Sequence, residues 1–154
     1  MQEQWGADLE TVIRVVGTAL TPAFLLVAVG SLLNVLTGRL SRIVDRSRHL
    51  EEKHSDASGQ DLTELVLELR LVAKRMRVVS RSILFAVLSA VAVCIMIALL
   101  FLMGLTRFSE PVLIVAVFIV ALILLSGSLI LFVREVQLAT HAIRVREEFL
   151  ELPD

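Results

Sequence analysis

Three runs of the chain, Val15–Gly38, Ser82–Thr106 and Pro111–Val133, contain no Asp, Glu, Lys, Arg or His and span 24, 25 and 23 residues. At about 1.5 Å of rise per residue, each is long enough to cross a hydrocarbon layer of about 30 Å. Between and around them the apolar positions turn periodic. Leu36, Leu40, Ile43, Val44, Ser47 and Leu50 carry one stripe out of the first run. Leu62, Leu65, Val66, Leu69, Val72, Ala73 and Met76 carry a second stripe into Ser82, and Phe132, Val136, Ala139, Ile143 and Leu150 carry a sparser third beyond the last run. Spacings of three and four residues put each set on one face of a helix. The pattern predicts an all-α membrane protein of three transmembrane helices, continued into a cytoplasmic helical hairpin of coiled-coil type plus a C-terminal helix.

Local signals set the predicted boundaries within one membrane domain covering residues 1–154. Trp5, Leu9, Val12, Ile13, Val16 and Leu20 recur at helical spacing among Glu3, Gln4, Asp8, Glu10 and Thr11. Residues 3–20 therefore read as an amphipathic helix on the outer side. Thr21-Pro22 suits a helix start, because Pro in the first turn forgoes an N–H that has no partner there. The first span is accordingly placed at residues 22–38, a continuous helix kinked at Pro22 being the alternative. His54 to Gln60 reads as a loop, and Asp61 with Glu64 as the start of the second arm of a hairpin over residues 39–81. The second span covers residues 82–106. Ser109-Glu110-Pro111 caps the third, residues 111–133, and residues 134–154 form the C-terminal helix.

Charge then orients the chain. Thirteen of its fifteen Lys and Arg residues lie between the first and second runs or after the third, leaving Arg14 and Arg107 on the opposite side. The positive-inside rule places the Arg-rich connection and the C-terminus in the cytoplasm and the N-terminus outside. Glu3, Asp8 and Glu10 replace the basic start expected of a cleaved signal peptide. A formal net charge of −1 argues against nucleic acid as a partner, since phosphate binding needs an excess of basic groups. The single cysteine, Cys94, excludes an internal disulfide and a Cys-based zinc site.

The run Thr21-Pro22-Ala23-Phe24-Leu25-Leu26, then Gly30, Leu33-Asn34 and Gly38-Arg39-Leu40-Ser41-Arg42-Ile43-Val44-Asp45-Arg46-Ser47-Arg48, resembles the signature of the domain of unknown function 2721 family. Its members are small bacterial membrane proteins with three hydrophobic segments. Gly38-Arg39-Leu40 stands where that family's charged part opens with Asn-Arg-Leu. The resemblance implies a bacterial inner-membrane location and no particular chemistry.

Two constellations stand out. Arg39, Arg42, Asp45, Arg46 and Arg48 set one carboxylate among guanidinium groups beside the bilayer. Three readings apply to them: anchoring on anionic lipid headgroups, in which Arg81 and Arg134 share; a structural pairing of Asp45 with Arg75 or Arg77 across the hairpin; or a site for an anionic ligand or partner. Ala23, Gly30, Asn34, Thr37 and Ser41 form a small or polar seam along the first span, and Asn34 is the strongest polar group in any span. Such a seam marks helix contact or a water-lined path. Ala86, Ala90, Cys94 and Ala98 predict a second close-packing surface, and Ser126, Gly127 and Ser128 serve helix contact or a distortion.

No reactive constellation accompanies these. His49 and His54 are five apart and His141 is remote, so no metal site is expected; no cofactor loop or matched nucleophile and base is present, and no enzyme activity is expected. The spans also lack the ionisable groups of a transporter. The expected function is structural or regulatory, through helix–helix association in a homo-oligomer or with a membrane-protein partner. The alternative is a subunit of an oligomeric channel lined by Asn34, Thr37 and Ser126.

Overall fold

The computed structural model describes residues 2–54, 59–105 and 111–147, with side chains over 12–53, 61–104 and 111–139. These residues form three α-helices: α1 (Gln2–His54), α2 (Gln60–Leu105) and α3 (Pro111–Glu147). Their lengths of 53, 46 and 37 residues far exceed the roughly 20 that cross a bilayer. Each helix carries one charge-poor stretch long and apolar enough to span a membrane. Large apolar side chains on these stretches point outward, Phe24 being 71% and Val112 75% exposed. Water would penalise that arrangement and lipid would not.

α1 runs without interruption through Pro22, so the start placed there is not a boundary and the continuous helix is the observed alternative. Proline costs a helix one N–H bond and crowds the preceding turn. Here Pro22 is buried, and that burial helps to offset the cost. Of the predicted loop over His54 to Gln60, His54 closes α1, Gln60 opens α2, and Gly59 adopts φ +69°, in the region where glycine carries no steric penalty. Residues 55–58, Thr106 to Glu110 with the Ser109-Glu110 cap, and residues 148–154 lie outside the described residues, as do the side chains of Ile143 and Leu150.

The chain divides into two compact units, each containing part of all three helices. One comprises residues 1–33 and 85–126, the other 34–84 and 127–154. In the first unit Ala92, Val93 and Ala121 form a buried cluster flanked by Leu25, Leu26, Ile97 and Val117. The Ser89 hydroxyl donates to the Ala121 carbonyl at 2.8 Å, which requires close approach of α2 and α3.

In the second unit Ile43 and Leu50 of α1 share a core with Val72 and Val79 of α2, bordered by Leu40, Leu65, Leu69, Met76 and Ile83. The two stripes read from the sequence thus face each other. Ser82 and Ser128 are fully buried, and each hydroxyl donates to the other residue's carbonyl at 2.8 Å. That reciprocal clasp satisfies both hydroxyls without any larger side chain between the backbones.

Burial along α1 recurs every seven residues, at Pro22, Val29, Leu36, Ile43 and Leu50. On α2 it alternates in steps of three and four through Val79, Ser82, Ala86, Ser89, Val93 and Met96. This 3.5-residue period explains why the predicted Ala86, Ala90, Cys94 and Ala98 surface is not the packing face. A strict four-residue step turns by about 40° at each repeat, so it drifts off the buried line. Ala86 is buried, Ala90 half-buried, and Cys94 and Ala98 exposed.

Candidate functional site: a buried carboxylate in an arginine cleft

The most distinctive polar arrangement lies in the second unit and centres on Glu135 of α3. Its side chain is 1% exposed, yet it receives two charge-assisted hydrogen bonds. Arg39 Nη1 donates to Oε2 at 2.9 Å and Arg75 Nη2 donates to Oε1 at 2.9 Å, so one carboxylate ties α1 and α2 to α3. The guanidinium of Arg39 also sits 5.0 Å from the centre of the Phe132 ring, within the range of cation–π attraction. The arginine side chains remain about one-third exposed, at 32% and 29%. The cations therefore keep part of their hydration while the anion loses nearly all of its own, and two hydrogen-bonding cations compensate that loss.

Two helical turns further along, Arg46 of α1 binds Glu68 of α2, with Nε 3.1 Å from Oε1 and Nη2 on the same oxygen. Moving seven residues forward on α1, from Arg39 to Arg46, corresponds to moving seven backward on α2, from Arg75 to Glu68. The two helices thus pass each other antiparallel in this unit. Arg39, Arg42, Arg46 and Arg75 line a cleft of about 380 Å³ with Glu135, and Ile43 and Val72 supply its apolar wall. A second cleft of about 480 Å³, lined by Lys74, Val78, Arg134, Gln137 and Leu138, is also basic. An apolar cleft of about 590 Å³ in the first unit, walled by Phe24, Leu25, Met96 and Phe118, contains no titratable side chain.

The structure separates the residues singled out from the sequence. Arg39, Arg42 and Arg46 line the cleft, Arg134 lines the second basic cleft, and Arg48 and Arg81 are exposed away from both. Asp45 is exposed and pairs with neither Arg75 nor Arg77: Arg75 engages Glu135, and Arg77 donates to the Ala73 carbonyl of its own helix. The helical step is the reason. Asp45 is two residues from Ile43, a turn of about 200°, so burial of Ile43 sends Asp45 to the opposite side. Arg39 and Arg46 stand four residues before and three after Ile43, and both therefore reach the packed face.

The seam residues Gly30, Asn34 and Thr37 are exposed, and a methyl group added at Gly30 would meet no atom within 4 Å. Gly30 and Asn34 thus lie open on the surface of this chain. Thr37 turns its hydroxyl back to the Asn34 carbonyl at 3.1 Å, as hydroxyls on apolar helices commonly do.

Glu135 escaped the reading of the sequence, although a signal was there. It falls between Phe132 and Ala139 on the stripe leaving the third apolar run, and one heptad after Ser128. A carboxylate on an otherwise apolar or small face requires a cationic partner if that face packs.

No curated protein and no solved structure matches this chain. The family model described as protein of unknown function (DUF2721) matches residues 19–145. With that match covering α2 and most of α1 and α3, and with them the arginine cleft and the seam, the chain belongs to the DUF2721 family.

Proposed function

We propose that this protein is a non-enzymatic, multi-pass protein of the bacterial inner membrane that acts through helix–helix association, primarily between copies of itself. The observation that carries the reading is Asn34, an amide exposed on the apolar stretch of α1 and one turn from exposed Gly30. Hydrocarbon offers an amide no hydrogen-bond partner, so a second helix must supply one, and glycine lets that helix come close. A second copy presents the same pair and suits a two-fold contact. The 3.5-residue burial period supports a coiled-coil-like hairpin over residues 39–81 on the cytoplasmic side. Arg48, Arg81 and Arg134 would meet anionic headgroups there at about 1 kcal/mol each.

Mass measurement of the full chain in mild detergent tests the association. The parent protein is expected to be a dimer or small oligomer, and Asn34→Leu to weaken it by about 3- to 30-fold, corresponding to roughly 0.6 to 2 kcal/mol for an intramembrane amide contact. A monomeric parent, or an Asn34→Leu variant with unchanged mass distribution, overturns the reading. A closed ring of many copies would instead favour the channel lined by Asn34, Thr37 and Ser126, all three of which are exposed.

The orientation has its own test. In intact cells with Cys94 replaced, an impermeant thiol reagent is expected to label Ser109→Cys and spare Glu51→Cys, following the division of Lys and Arg. The opposite labelling pattern would invert the topology.

A further inference from the structure

We propose that the cleft between Arg39, Arg42, Arg46 and Arg75 is a binding site for a phosphate monoester dianion. Charge complementarity is the first argument. Four guanidinium groups line the cleft. Glu135 is shared between Arg39 and Arg75, and Glu68 serves Arg46. The six groups together retain a charge of +2, the complement of a phosphate monoester near neutral pH. Unspent hydrogen-bond donors are the second argument. Arg42 has no ion pair among the described residues. Arg39 and Arg75 each use one terminal nitrogen on Glu135, and a guanidinium carries five N–H donors.

Shape is the third argument. A volume of about 380 Å³ lies in the range of small-ligand sites, and planar guanidinium forks match the oxygens of phosphate better than point-like ammonium groups do. Ile43 and Val72 lower the local dielectric on one side and strengthen each charge–charge contact. Glu135, fixed by two hydrogen bonds, holds Arg39 and Arg75 at the cleft so that the ligand need not order them itself. The phosphate monoester has two chemical sources, the headgroup of a phosphatidic-acid-type lipid and a free phosphorylated small molecule. Arg39 directly follows the apolar run of α1, which is compatible with a lipid headgroup.

The test is thermal unfolding of the full chain in a zwitterionic detergent at fixed ionic strength. One arm adds inorganic phosphate against chloride, and the other adds phosphatidic acid against phosphatidylserine in mixed micelles. A raised midpoint in either arm is expected, and the arm that responds identifies a free or a lipid-borne phosphate. Arg42→Gln should weaken the apparent affinity about tenfold by removing an unpaired fork, and Arg42→Lys should weaken it less. Because Arg42 is exposed and holds no ion pair, these variants should fold. Lys74→Gln, in the other basic cleft, should leave affinity within about twofold, as expected for a site that recognises its ligand by short-range bonds. No midpoint change in either arm, or equal weakening by the Arg42 and the Lys74 variants, overturns the proposal.

Discussion

Glu135→Gln is expected to destabilise the protein by about 3 to 5 kcal/mol, the cost of removing one partner from a buried ion pair. The substitution preserves volume and one acceptor oxygen, so packing is not what changes. It removes the single negative charge that Arg39 and Arg75 share inside a cleft lined by two further arginines. Mutual repulsion of the guanidinium groups then goes uncompensated, and the contact joining α1, α2 and α3 is lost. Thermal unfolding in detergent measures the effect.

Two companion variants give that result its meaning. Replacing Arg39, Arg75 and Glu135 together by Met is expected to recover most of the loss, because an apolar cluster of similar size avoids the desolvation cost altogether. Asp45→Asn is expected to change stability by only a few tenths of a kcal/mol, as befits an exposed carboxylate. A Glu135→Gln midpoint equal to that of the parent would mean that the cleft arginines are fully hydrated and that Glu135 ties nothing together.

Ser128→Leu should be the second severe substitution, costing about 3 kcal/mol, at the upper end of what overpacking imposes. Ser82 and Ser128 are fully buried, and each hydroxyl reaches the opposite backbone carbonyl at 2.8 Å. A leucine has no space at that point unless α2 and α3 separate, and separation would also break both hydrogen bonds. Ser128→Ala keeps the close approach and removes only one donated bond, for which about 0.6 kcal/mol is typical between membrane helices. The ratio of the two effects, read from unfolding midpoints by circular dichroism, shows whether small size or hydrogen bonding matters here. Equal effects would sink the claim that backbone proximity governs this contact.

The sequence by itself determined the number of helices long and apolar enough to cross a membrane and the faces on which Ile43, Leu50 and Val72 lie. It did so because both properties are local. Length is counted along the chain, and a helical face follows from the 3.6-residue turn without reference to any partner. The same local rule, carried two residues past Ile43, would also have turned Asp45 outward.

Only the tertiary structure decided the rest. That Pro22 interrupts nothing goes with its burial in the folded chain. That burial follows steps of three and four, through Ser82, Ala86, Ser89 and Val93, depends on two helices keeping one seam in contact over many turns, which a single helix has no reason to do. The choice of Glu135 over Asp45 as the partner of Arg75 is settled by residues 60 positions apart in the chain. An ion pair across that distance is fixed by which faces meet when α3 packs beside α2, and the periodicity of either helix alone carries no information about the other's register.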